Sequence, residues 1–145
     1  MCRGFYFICY LCGLFPTMSD EIKHECGLAF IRLRKNFSYY QQKYNSVLYG
    51  LNKLYLLMEK QHNRGQDGAG VANIKIDTEP GQRYISRYRS IKSQPVANLF
   101  KKIGKKYKRA QKAGKEKFNN EKWLKDNVAF TGELWLGHLR YGTHG

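Results

Sequence analysis

Residues 18–32 read MSDEIKHECGLAFIR, and the seven from Cys26 to Arg32, CGLAFIR, make a short apolar run flanked by charge. That pattern predicts a buried, central β-strand beginning at Cys26. A cysteine followed by glycine at the mouth of a strand can be a small buried hydrophobe, the common use of the residue. It can also be a nucleophile, which needs a base to generate the thiolate. Its own α-amino group, with a pKa of about 8, becomes such a base if the residues before it are removed. N-terminal threonine nucleophiles work this way. Gly27, without a Cβ, is expected to leave room for a substrate beside the thiol.

Downstream, NFSYYQQKYN (36–45) reads as a polar, aromatic connection. Val47, Leu48, Leu51, Leu54, Tyr55 and Met58 then recur at steps of three and four, which predicts a helix over Ser46–His62. Ser46 is the expected N-cap and Gly65 the expected left-handed residue beyond the end. GAGVANIKID (68–77) reads as a strand, EPGQ (79–82) as a turn and RYISRYRS (83–90) as another strand. Val96, Leu99, Phe100, Ile103 and Tyr107 keep helical spacing, while Gly104 and Gly114 weaken that helix. KAGKEKFNNEK (112–122) is expected to be loose, and NVAFTGELWLGHLRYGTHG (127–145) supplies one or two more strands. The class is therefore α+β.

A chain of 145 residues with 42% hydrophobic and 14% aromatic content can bury a real core and is not disordered. The net charge of +15 is concentrated: residues 83–126 hold 15 Lys/Arg against 3 Asp/Glu. A basic insertion at that place could meet a polyanion or only water. Cys2, Cys9, Cys12 and Cys26 all lie near the start, which is not a disulfide framework, and a reducing, cytoplasmic compartment is expected. With His24 they match no standard zinc spacing, so no metal is expected. Residues 1–17, MCRGFYFICYLCGLFPT, lack the small-residue cleavage site of a signal peptide and are too short to span a bilayer. No membrane partner follows. Residues 1–25 are expected to be a leader, of which 1–17 lie upstream of a true start at Met18. At the other end, unusual chemistry in the last residues points to a chain cut short.

Two further motifs accompany Cys26. HNRGQDGAG (62–70) packs glycines and Arg64 into a helix-to-strand connection, where the planar fork of an arginine can fix loop geometry. GHLRYGTHG (137–145) sets Arg140, able to grip a carboxylate bidentately, beside Thr143 with its hydroxyl. A plain connection and a polar strand end would explain each motif singly. Their joint occurrence, in this order after Cys-Gly, resembles the glutaminase domain of the class II glutamine amidotransferases. The middle motif is most similar to the amidophosphoribosyltransferases, and RYGTHG also resembles the glucosamine-6-phosphate synthases.

The resemblance implies an Ntn-hydrolase αββα sandwich over residues 26–145, with two antiparallel sheets between helices, incomplete here at its C-terminal side. It implies that Cys26 becomes the first residue and attacks the side-chain amide of glutamine. Arg140 would hold the substrate carboxylate with Thr143 in support, Tyr141 and His144 would line the pocket, and Arg64 with Gly65 would shape the loop over the nucleophile. The ammonia would pass to a phosphoribosyl pyrophosphate acceptor domain, making phosphoribosylamine for purine synthesis. No cofactor is implied for the glutaminase part, and Mg²⁺ only for that acceptor domain. The full-length protein would be a homo-oligomer.

Departures from the family pattern are the extra Asn63 between His62 and Arg64, and Gly142 where Ser or Ala is usual. The Asn-Gly pair for the oxyanion and an Asp for the substrate amine lie beyond RYGTHG in the family. Since an oxyanion hole is commonly worth about 10²–10³ in rate, the chain by itself is expected to be close to inert. The alternatives are the glutaminase half of another amidotransferase, or a basic RNA-binding module using residues 83–126, with Tyr84, Tyr88, Tyr107 and Trp123 as stacking surfaces.

Overall fold

The structure, a computed structural model, describes residues 26–142. Within them four strands form one open antiparallel sheet: β1 (Gly27–Arg32), β2 (Gly68–Ile74), β3 (Ile85–Ser90) and β4 (Leu134–Arg140), in the spatial order β1-β4-β2-β3. Four α-helices accompany them: α1 (Phe37–Tyr44), α2 (Tyr49–Lys60), α3 (Pro95–Ala113) and α4 (Glu121–Asn127). The fold is α+β.

Alternation along the strands divides the sheet into two unlike faces. Ala29, Ala69, Val71, Trp135 and Leu139 point to one face and are buried there under α2, which covers β1 and β4, and α3, which covers β2 and β3. Leu28 and Phe30 point to the other and are 66% and 63% exposed. Leu136, opposite Phe30, is exposed beside them. Among the described residues, the expected buried, central strand is therefore an edge strand buried on one face. An apolar run of this length looks the same in sequence whether both faces are covered or one is left open.

The helices follow their apolar stripes. Leu51, Leu54 and Met58 of α2 meet Leu99 and Ile103 of α3 in the core, joined by Val96, Tyr107, Leu124 and Phe130. Tyr55, placed on the α2 stripe by spacing, instead lies at its exposed margin, edge-on to Phe100. Gly104 does not interrupt α3, and the helix ends at Gly114 as its composition suggests. The segment from 83 to 126 thus contains β3, α3 and all but the last residue of α4, and the inner stripe of its basic helix builds the core.

Three local expectations are corrected. Residues 36–45 are not a mere connection: the Asn36 side chain caps α1 by accepting from the Tyr39 N–H, and Phe37 and Tyr40 turn inward. Stacked rings of Tyr40, Tyr44 and Tyr49 then join α1 to α2. Ser46 does not cap α2, which starts later; its hydroxyl accepts from the Leu48 N–H in a turn before the helix. The 112–122 stretch is ordered by a 3₁₀ turn at Lys115–Lys117 and by Asn120, which caps α4 through the Trp123 N–H.

Buried polar groups tie β2 to the approach to β4. The fully buried Asn73 donates to the Gly132 and Leu134 carbonyls and accepts from the Gly132 N–H. Phe130 holds a positive φ of 66°, uncommon for a bulky residue. Its ring stacks on Trp135, and its carbonyl accepts from the buried Tyr107 hydroxyl. Burial pushes the Tyr107 phenol far above its ordinary value, so it stays a donor throughout the working pH range. Tyr107→Phe orphans that carbonyl. It should cost about 1–3 kcal/mol, read as a lower urea midpoint at unchanged m value.

Candidate functional site

The sequence motifs meet at one end of the sheet. Gly27 lies opposite Leu139 and Gly68 opposite Arg140. Extending the β1–β4 register by one step sets Cys26 opposite Arg140, on the parity of the open face. Directly opposed residues in an antiparallel pair have Cβ atoms about 4.5–5.5 Å apart. Cys26 and Arg140 are both exposed. They can therefore address one ligand from the open side of the sheet.

The loop after α2 packs across this end. Backbone bonds from Arg64 N to the Gln61 carbonyl (2.9 Å) and from Gly65 N to the His62 carbonyl (3.3 Å) close a 3₁₀ turn over His62–Arg64. Asn63 sits within that turn. Arg64 is exposed on it, and Tyr141 is 44% exposed just past β4. Thr143 and His144, like residues 1–25, lie outside the described residues.

Two glycines have other roles than expected. Gly65 is not left-handed; its φ of −176° is extended backbone. A Cβ there would come within 2.8 Å of backbone atoms of Leu139 and Arg140. Gly65 thus lets the loop lie directly on the end of β4. Gly27 does not open space for a substrate. Its Cβ position faces the helix layer, 2.9 Å from Gln61 Oε1 and 3.1 Å from Leu139 Cδ1.

Gly65→Ala follows as a steric test, since alanine tolerates that φ and only the contact is at issue. Backbone on the far side of the contact yields poorly. The variant should lose about 1–3 kcal/mol of stability and shift the Arg140 backbone amide in an NMR spectrum. An unshifted Arg140 would show that the loop is not packed as described.

Gln61 and Asp67, which the motif reading passed over, make the firmest connections here. Gln61 Nε2 donates to the Leu28 carbonyl at 3.1 Å. Asp67 N–H donates to the Arg140 carbonyl at 3.1 Å, and its carboxylate accepts from the Gly142 N–H at 2.5 Å. Both lie within or beside the quoted motif, but their partners are far away in sequence. A cleft of about 570 Å³ next to this loop is lined by Tyr55, Glu59, His62, Gly65, Gln66 and the start of α3. Its lining includes neither Cys26 nor Arg140.

The four stacking candidates in the basic segment do not form one surface. Tyr107 is buried in the core, Trp123 packs against it, and only Tyr84 is widely exposed. Among the described residues no group of three or more His, Cys, Asp or Glu could hold a metal ion, and no helix is long and apolar enough to cross a membrane. Comparisons with protein-family models, curated proteins and solved structures find no match for the chain.

Proposed function

We propose that this chain is the N-terminal part of a glutamine-hydrolysing domain of the class II amidotransferase type, with Cys26 as its first residue after maturation. The observation that supports the reading is the β1–β4 register, which ends at Gly27 opposite Leu139; continued by one residue, it would set the cysteine opposite Arg140. The α-amino group takes the thiol proton, and the thiolate attacks the side-chain amide carbon of glutamine. The same proton then goes to the leaving nitrogen, releasing ammonia and a glutamyl thioester. Water attacks the thioester, giving glutamate and restoring the thiol. Arg140 offers a guanidinium for the substrate α-carboxylate.

The exposure of Leu28, Phe30 and Leu136 on one face of the sheet, among the described residues, supports the Ntn-type sandwich, because a second sheet would bury such a face. Ammonia made there would serve an acceptor domain, with a phosphoribosyl pyrophosphate acceptor favoured by the QHNRGQDGAG motif and an aminosugar synthase as the alternative.

The test is modification of the matured chain by azaserine, a diazo ester shaped like glutamine. Saturable labelling of Cys26, slowed by free L-glutamine but not by D-glutamine, is the expected result. Labelling that ignores glutamine would refute the assignment.

A further inference from the structure

The proposed nucleophile and the proposed carboxylate-binding arginine both sit at the end of the sheet. Cys26 precedes the first ladder residue of an edge strand, and Arg140 is the last residue of β4. Chain beyond a ladder frays unless something else holds it. Here the 61–67 loop holds both ends. Gln61 grips β1 at the Leu28 carbonyl, with its Oε1 against Gly27. Asp67 takes the Arg140 carbonyl on its own N–H and the Gly142 N–H on its carboxylate. Between them Gly65 lies against the backbone of Leu139 and Arg140.

We propose that Gln61 and Asp67 are positioning residues, the two ends of one loop that sets the spacing between the nucleophile and the carboxylate-binding arginine. The inference rests on the glutaminase reading above. Neither residue touches the substrate. Gln61 fixes the strand that starts at the thiol, and Asp67 fixes the chain that leaves Arg140. A ligand that bridges Cys26 and Arg140 depends on their separation, whereas a small reagent that meets only the thiol does not. Misplacing a binding group by about an ångström is enough to cost orders of magnitude in rate. The Asp67 bond is exposed, and losing one such bond corresponds to about a fivefold to tenfold effect.

The experiment compares two reagents on the matured protein and on its Asp67→Ala and Asp67→Asn variants. With azaserine, the thiol proton passes to the diazo carbon and the thiolate displaces dinitrogen, forming a thioether. With iodoacetamide, the thiolate displaces iodide and no second anchor is involved. Asp67→Ala should raise the half-saturating azaserine concentration about fivefold to tenfold and leave the iodoacetamide rate at Cys26 unchanged. Asp67→Asn keeps an oxygen acceptor for the Gly142 N–H and should stay within about twofold of the parent. Amide exchange at Gly142 should quicken in the alanine variant only. Azaserine labelling equal in parent and alanine variant would overturn the positioning role while leaving the glutaminase reading intact, as would equal defects in both variants. Parent labelling that glutamine fails to slow would overturn the underlying reading itself.

Discussion

Cys26→Ser should abolish glutamine-protected labelling by azaserine, and a blocked α-amine should come close to doing the same. The two losses have different causes. The serine variant lacks the thiolate, the species that attacks. Acetylated Cys26, or Cys26 still joined to Glu25, keeps the sulfur but loses the base. A positioned general base contributes about 10²–10⁴ in rate, so the blocked protein should react more slowly by that factor. The pH profile follows the same logic. With an α-amino pKa of about 8, the labelling rate should rise with pH, reach half its plateau near that value and fall about tenfold per unit below it. In a polypeptide that joins this unit to an acceptor domain, Cys26→Ala should remove glutamine-dependent synthesis and spare synthesis from added ammonia, because only the ammonia source is lost. A serine or blocked variant labelled at the parent rate would show that Cys26 is not the nucleophile or its amine not the base.

Glu133→Ala should be the most destabilising of the substitutions considered. Glu133 and Lys125 are each 8% exposed and form an ion pair, which the carboxylate of Glu121 joins at 3.2 Å. The second Glu133 oxygen accepts from the Ile76 N–H at 2.9 Å, and a Glu121 oxygen accepts from the Phe37 N–H at 3.0 Å. The buried Lys75 ammonium donates to the Lys125 carbonyl. One network therefore joins α1, the end of β2, α4 and the entry to β4. Removing one partner of a buried pair typically costs about 3–5 kcal/mol, a large share of the roughly 5–15 kcal/mol that holds a domain together. Glu133→Gln keeps an acceptor for Ile76 and should lose less.

The pH dependence of that loss has a definite sign. Burial pulls the Lys125 pKa down, but the Glu133 and Glu121 carboxylates outweigh it, and the net shift is upward. A raised folded-state pKa gives stability that is complete below the unfolded lysine value of about 10.4 and is lost as pH rises through the folded value. On the alkaline side, the gap between parent and Glu133→Ala should therefore hold from neutrality upward and narrow only in strong alkali. Urea titrations at several pH values would show it. A gap that closed as pH rose from 7 to 8 would contradict the assignment to Lys125.

The elements with a one-sided apolar stripe were legible in the chain. Val96, Leu99, Ile103 and Tyr107 announced α3, and Leu51, Leu54 and Met58 announced α2, because helical spacing is local information. The role of Gly65 was not legible. A glycine chosen for φ and one chosen for closeness to another strand look alike until that strand, more than seventy residues on, is in place. A similar distance hid Asp67, and 33 residues separate Gln61 from Leu28; the partners of both are backbone groups that leave no mark on residue choice. Phe37 and Tyr40 did carry a short helical stripe behind Asn36, but the polar residues around them concealed it. The short apolar run after Cys26 was legible as a strand, while its place at an edge of the sheet required the strand order.

Intact mass of the protein recovered from expressing cells, read together with azaserine reactivity, bears most directly on Cys26 as an N-terminal nucleophile. The reactive species should begin at Cys26, 25 residues shorter than the chain from Met1 or 8 shorter than one from Met18. It should gain a single azaserine-derived adduct at that residue, and L-glutamine should slow the gain. A protein that retains residues 18–25 and still shows glutamine-protected labelling would contradict the mechanism, because its Cys26 has no free α-amine to act as base.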